Sequence, residues 1–185
     1  GGGGTAEFTV SGSLSDGQTV ILKSDGNVAG VTTSQITQTV GSVNAYTPTS
    51  TDSVNFNGVY HSGVEKMVIA YKKSSDQKGY AVVSKITDVT IPLTTAATKF
   101  YNNTMEYPAI VYDSNSDRIV IGFEDNSGMG RAIVGTVNAN NTITFGTSVK
   151  FDTGSDVGSH YISAAFDSTN NKVVFAFQQP NDNDR

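Results

Sequence analysis

Tyr112-Asp113-Ser114-Asn115-Ser116-Asp117-Arg118-Ile119-Val120-Ile121-Gly122-Phe123 is the stretch that decides the fold. It runs from an aromatic residue through a polar turn to one basic residue, then three apolar residues, a small residue and a second aromatic. The same order occurs at Tyr60-His61-Ser62-Gly63-Val64-Glu65-Lys66-Met67-Val68-Ile69-Ala70-Tyr71. It occurs again at Phe166-Asp167-Ser168-Thr169-Asn170-Asn171-Lys172-Val173-Val174-Phe175-Ala176-Phe177. The three copies align without gaps, and their starts lie 112 − 60 = 52 and 166 − 112 = 54 residues apart. Near-constant spacing of this kind marks a chain built from stacked copies of one supersecondary unit.

Outward from that core the rest of the unit also recurs. Gly79-Tyr80-Ala81-Val82-Val83 matches Gly130-Arg131-Ala132-Ile133-Val134, and Lys99-Phe100 matches Lys150-Phe151. One unit therefore holds four strand candidates, in the second copy Tyr107 to Tyr112, Arg118 to Phe123, Arg131 to Val137 and Thr142 to Phe151. The expected class is all-β. Four antiparallel strands in about 52 residues fit a β-propeller blade. The runs Ile119-Val120-Ile121 and Val173-Val174-Phe175 are apolar at every position, which predicts strands buried on both faces. Ala70, Gly122 and Ala176 are small enough to let neighbouring sheets approach closely.

These boundaries divide the chain into residues 1–50 and 51–185, the latter as units 55–104, 105–157 and an incomplete 158–185. The third unit lacks its last two strands, so the sequence reads as a piece of a longer propeller, or as one whose sheets are completed by other chains. Residues 1–50 read either as a degenerate first blade or as a separate β-module. Within them Thr19-Val20-Ile21-Leu22-Lys23 and Asn27 to Thr32 flank a tight turn at Ser24-Asp25-Gly26-Asn27. Ile36 to Tyr46 is a further strand candidate, and Gly1 to Gly4 suits a flexible linker.

Composition narrows the function. The 185 residues carry a formal charge of −5, and the basic residues are scattered apart from Lys72-Lys73. Phosphate binding needs a clustered basic face, so no nucleic-acid partner is expected. No stretch is apolar enough for a membrane-spanning helix, so no membrane insertion is expected. With no cysteine, disulfides and thiolate metal sites are excluded.

Chemistry-bearing motifs are few. Asp113, Asn115 and Asp117 place oxygen atoms at alternate positions like the start of a calcium loop, making them a weak metal candidate. The Gly and distal bidentate Glu of such a loop do not follow, and His61, Gly63 and Glu65 stand at the matching places of the first copy. The expected role is a hairpin in which Asp, Asn and Ser cap the backbone. Glu106, Glu124 and Asp125 are expected in solvated turns rather than as a hydrolytic pair. His61 and His160 have no nucleophile motif beside them, and His160 is expected to precede a strand and face solvent. Tyr80, Tyr101, Tyr107 and Tyr161 fall near strand ends where sugars could bind. The equivalence of Tyr107 and Tyr161 across repeats favours packing. No catalytic residue and no cofactor are expected.

The unit Tyr107 to Thr147 resembles repeats in virion structural proteins of tailed phages, particularly marine ones. The segment Gly12 to Val31 is similar to the one that often precedes those repeats. The resemblance spans about Ala6 to Phe177. It implies a tail fibre, appendage or other exterior virion component that contacts other virion proteins, forms homo-oligomers and attaches to host-surface glycan. Ser13 to Val20 also partly resembles the aspartate box of sialidase-type propellers, with Ser15 in place of its Asp and Val20 in place of its aromatic. That box is a structural turn and implies no catalysis. The alternatives are a carbohydrate-binding or carbohydrate-cleaving propeller of a bacterial surface, and a self-assembling extracellular filament protein.

Overall fold

The computed structural model describes residues 7–31, 53–85, 96–152 and 158–179. It is all-β: among the described residues there is no helix. The chain forms two compact units, Gly1–Thr39 and Val40–Arg185. The boundary expected after residue 50, the candidate strand Ile36 to Tyr46 and the Gly1 to Gly4 linker lie outside the described residues.

In the first unit, β1 (Val20–Leu22) and β2 (Val28–Gly30) form the expected antiparallel hairpin. Its turn closes because Gly26 adopts a left-handed φ of 82° and its amide donates to the Lys23 carbonyl. The Asp25 carboxylate accepts the Asn27 amide at 3.0 Å. Such local side-chain bonds explain why this residue order turns the chain.

The described residues of the second unit form three antiparallel sheets. Sheet one runs β3 (Ser53–His61), β4 (Lys66–Lys73), β5 (Gly79–Lys85) and β6 (Thr98–Tyr101), each paired with the next. Sheet two repeats the order with β7 (Met105–Asp113), β8 (Arg118–Asp125), β9 (Gly130–Val137), β10 (Ile143–Phe145) and β11 (Val149–Lys150). Sheet three is the pair β12 (His160–Asp167) and β13 (Lys172–Gln178). The fourth strand expected over Thr142 to Phe151 is split. Phe145 pairs with Gly135 but Val149 pairs with Ala132, so four steps on one strand face three on β9. A bulge across Gly146, Thr147 and Ser148 absorbs the extra residue, with the Gly146 amide donating to the Val134 carbonyl.

The hairpins between first and second strands are copies of one another. Glu65, Asp117 and Asn171, at the same repeat position, have φ of 53°, 56° and 53°. Asp113 accepts the Asn115 and Ser116 amides and the Ser116 hydroxyl. Asp167 likewise accepts the Thr169 and Asn170 amides and the Asn170 side chain.

The sheets stack by alternate faces of their second strands. Along β8, Ile119, Ile121 and Phe123 are fully buried with residues of sheet one, Phe123 meeting Phe100 and Tyr101. Gly122 and Glu124 point the other way, to Phe175 and His160 of sheet three. The aromatic seam repeats: Phe100 meets Phe123 at 5.5 Å and 60°, and Phe151 meets Phe177 at 5.6 Å and 54°. Gly122 is small for the reason its sequence position suggested. A Cβ there would lie 2.4 Å from a Phe175 ring carbon, and that ring is held flat against Phe151 at 4.7 Å. The third apolar run departs from expectation. Val174 is 55% exposed, whereas Val120 at the equivalent place is 8% exposed. Among the described residues no further sheet covers this side of β13, so its run is buried on one face only.

Candidate functional site

Each sheet's first strand carries a kink at the same repeat position. Asn55, Tyr107 and Tyr161 have φ of 50°, 50° and 51°. The ladder register slips there, between Val54 and Phe56, Glu106 and Ala109, and His160 and Ser163. Bulky residues rarely adopt this backbone, and a bulge typically re-aims a side chain or ends pairing. Pro108, which has no amide to donate, suits such an interruption.

The three kinks converge on one cavity of about 290 Å³. It is lined by Asn55 and Phe56, Tyr107 and Pro108, and Tyr161 and Ile162, the same two positions from each repeat. Phe56 is 72% exposed and Tyr161 68%. The Tyr107 and Tyr161 rings lie 4.9 Å apart, tilted by 48°, and Tyr107 also meets the His160 ring at 5.3 Å. Burial, helped by the neighbouring Tyr161 hydroxyl and the Glu124 and Glu106 carboxylates, pushes the Tyr107 hydroxyl's pKa up.

Charged groups cross each seam beside the cavity. Lys72 of β4 donates to Glu106 Oε1 of β7, and Asn55 Nδ2 donates to Glu106 Oε2 at 2.6 Å. Glu124 of β8 lies 3.5 Å from His160 Nε2 of β12. Lys72 and Glu124 occupy one repeat position, and Glu106 and His160 another, so the second seam repeats the first with the basic partner on the opposite strand. Glu124 Oε2 is buried without a hydrogen bond, and burial raises its carboxyl pKa despite the opposing influence of His160.

Several expectations change here. Glu106 and Glu124 are not in turns: they are cross-strand partners on β7 and β8. Asp125 also ends a strand, buried, with Arg131 Nε donating to it at 2.6 Å. His160 opens β12, half-buried against Glu124 and Tyr107, rather than facing open solvent. Tyr107 and Tyr161 line the cavity instead of filling a core, because the kink turns the repeat position outward. Tyr80 and Tyr101 serve structure. Burial, together with donation of the hydroxyl to Asp76 at 2.8 Å, lifts the Tyr80 pKa to about 12. The Tyr101 hydroxyl donates to Asn126 of sheet two at 3.1 Å.

The candidate calcium loop is occupied by its own hairpin and seam. Both Asp113 oxygens accept bonds from within the turn. Asn115 Nδ2 donates across the seam to Ser168 O and Asn171 Oδ1. Asp117 Oδ1 accepts the Tyr112 hydroxyl and lies 3.7 Å from Nε2 of buried His61. The Asp113 and Asp117 oxygens therefore serve separate contacts, and the described residues contain no group of three or more His, Cys, Asp or Glu suited to a metal.

The repeat offset carried a signal for the paired seam charges, since 72 with 124 and 106 with 160 fall into register. Reading it required knowing that a second strand faces the next unit's first strand. No family model, curated protein or solved structure matches this chain.

Proposed function

We propose that the three sheets are blades of a β-propeller, and that this propeller is an exterior structural and attachment protein of a tailed-phage virion. The observation that carries the architecture is the recurrence of one seam. The aromatic pair, the ionisable pair and the first-strand kink each reappear one unit later, so one repeated relation joins successive sheets. First strands that converge on a common cavity are the arrangement blades adopt around an axis. The open side of β13, with Val174 exposed, is a surface on which another such blade or a second copy of the chain would seat.

The virion assignment rests on the resemblance of Tyr107 to Thr147 to phage virion repeats. A structural and binding role also suits the carboxylates at the site. Both Glu106 oxygens are engaged by Lys72 and Asn55, which holds this carboxylate as a seam contact. The reading therefore assigns no catalysis to the cavity.

Antibodies raised against the chain, applied to intact purified phage particles encoding it, test this reading. Gold label on the tail or appendages is the expected result. Label only in host-cell material, with the chain missing from particle digests, overturns the assignment.

A further inference from the structure

We propose that the cavity at the three first-strand kinks binds an uncharged carbohydrate, with one sugar ring resting on Tyr161 and Phe56. The inference rests on the attachment reading above and names its ligand class. Large aromatic rings that are roughly two-thirds or more exposed are costly to leave in water, and here two of them, at adjacent positions of the repeat, flank one concavity. Tyr161 is further held in a left-handed backbone that keeps its ring beside Tyr107 instead of in the sheet. Strained backbone of this kind persists where surrounding structure over-determines it, commonly at ligand sites.

The polar groups decide the class. A phosphate or carboxylate ligand needs a cation, but Lys72 is committed to Glu106 and His160 Nε2 faces Glu124 at 3.5 Å. A cationic ligand needs net negative charge within an aromatic cage. Glu106 is neutralised by Lys72, and the Glu124 carboxylate faces His160 Nε2 at 3.5 Å. A purely apolar ligand would strip water from the tyrosine hydroxyls and replace it with nothing. What remains is an uncharged molecule with one apolar C–H face for the rings and hydroxyls for the phenols, which describes a pyranose. A cavity of about 290 Å³ is at the small end of ligand pockets, fitting one or two rings.

The test uses the full chain and a panel of neutral oligosaccharides: lactose, maltotriose, chitotriose and a mannotriose. Ligand-observed NMR should show saturation transfer from at least one of them. Tyr161→Asn, which installs the residue type that Asn55 already presents at the same kinked position, should weaken that binding about tenfold or more. Phe56→Ala should do the same, while both variants keep the parent melting temperature and Tyr80→Phe binds as the parent does. Absence of transfer from every neutral sugar overturns the inference, as does binding indifferent to Tyr161→Asn, or binding confined to sulfated sugars or tetramethylammonium. Labelled particles without sugar binding would sink this inference alone. Sugar binding by a chain missing from particles would sink the virion assignment alone.

Discussion

Val120→Asp should abolish cooperative folding, costing more than about 4 kcal/mol, whereas Val174→Asp should cost only about 1 kcal/mol. The two valines hold the same repeat position, in the middle of a second strand, and differ in what lies above them. Val120 is 8% exposed on the side of β8 that faces sheet three. A carboxylate there would be stripped of water with no cation provided to meet it, and could escape only by staying protonated. Val174 is 55% exposed on the open side of β13. Aspartate there keeps its water and loses little beyond the strand preference of valine. Chemical denaturation of the two variants reads the difference directly. Equal losses would mean that the open side of β13 is covered in solution, and would point to self-association on that face.

Phe123→Ala should destabilise the chain by about 3–5 kcal/mol. The ring is fully buried and meets Phe100 and Tyr101 of the neighbouring sheet at 5.5 and 4.7 Å, so truncation removes both apolar area and the packing that joins two sheets. Its backbone sits in the middle of the sheet, paired on one side with β9, and cannot collapse to fill the void. Phe177→Ala, at the equivalent place in sheet three, removes a half-buried ring and should cost less than half as much. Urea titration with an unchanged slope separates a true loss of stability from a change in the unfolded chain. A Phe123→Ala variant as stable as the parent would mean that the sheets do not pack through this seam.

The repeated segment made much of the architecture legible. An aromatic, a polar turn and an apolar run recurring every 52 to 54 residues located the first two strands of sheet two to within two residues. The small residue at Gly122 announced a close approach that Phe175 makes. Aspartate and asparagine in the hairpins were readable because their chemistry is local: Asp113 caps its own turn whatever the rest of the chain does. Other features depended on neighbours that no local pattern contains. The apolar run at Val173-Val174-Phe175 looks the same as its counterpart in sheet two, yet burial of Val174 requires a following sheet. Thr142 to Phe151 alternates well enough for one strand, and the slip at Gly146 follows from matching β9 rather than from its own residues.

The site was hidden for a related reason. Tyr107 and Tyr161 recur in register, and recurrence in a repeat protein ordinarily signals packing. A left-handed kink reverses that inference by turning the position toward a shared cavity, and tyrosine gives no warning of such a backbone. The seam pairs of Lys72 with Glu106 and Glu124 with His160 were likewise invisible as pairs, since their partners are 34 and 36 residues apart in the chain and meet only when sheets stack.

The central claim is that these repeats are blades around an axis with their kinked first strands innermost. A cryo-electron microscopy map of the assembled protein tests it most directly. The account predicts sheets arranged radially, with β3, β7 and β12 nearest the axis and the kinks at Asn55, Tyr107 and Tyr161 facing one central cavity. Sheets stacked along a line, with those three kinks opening separately to solvent, would contradict it.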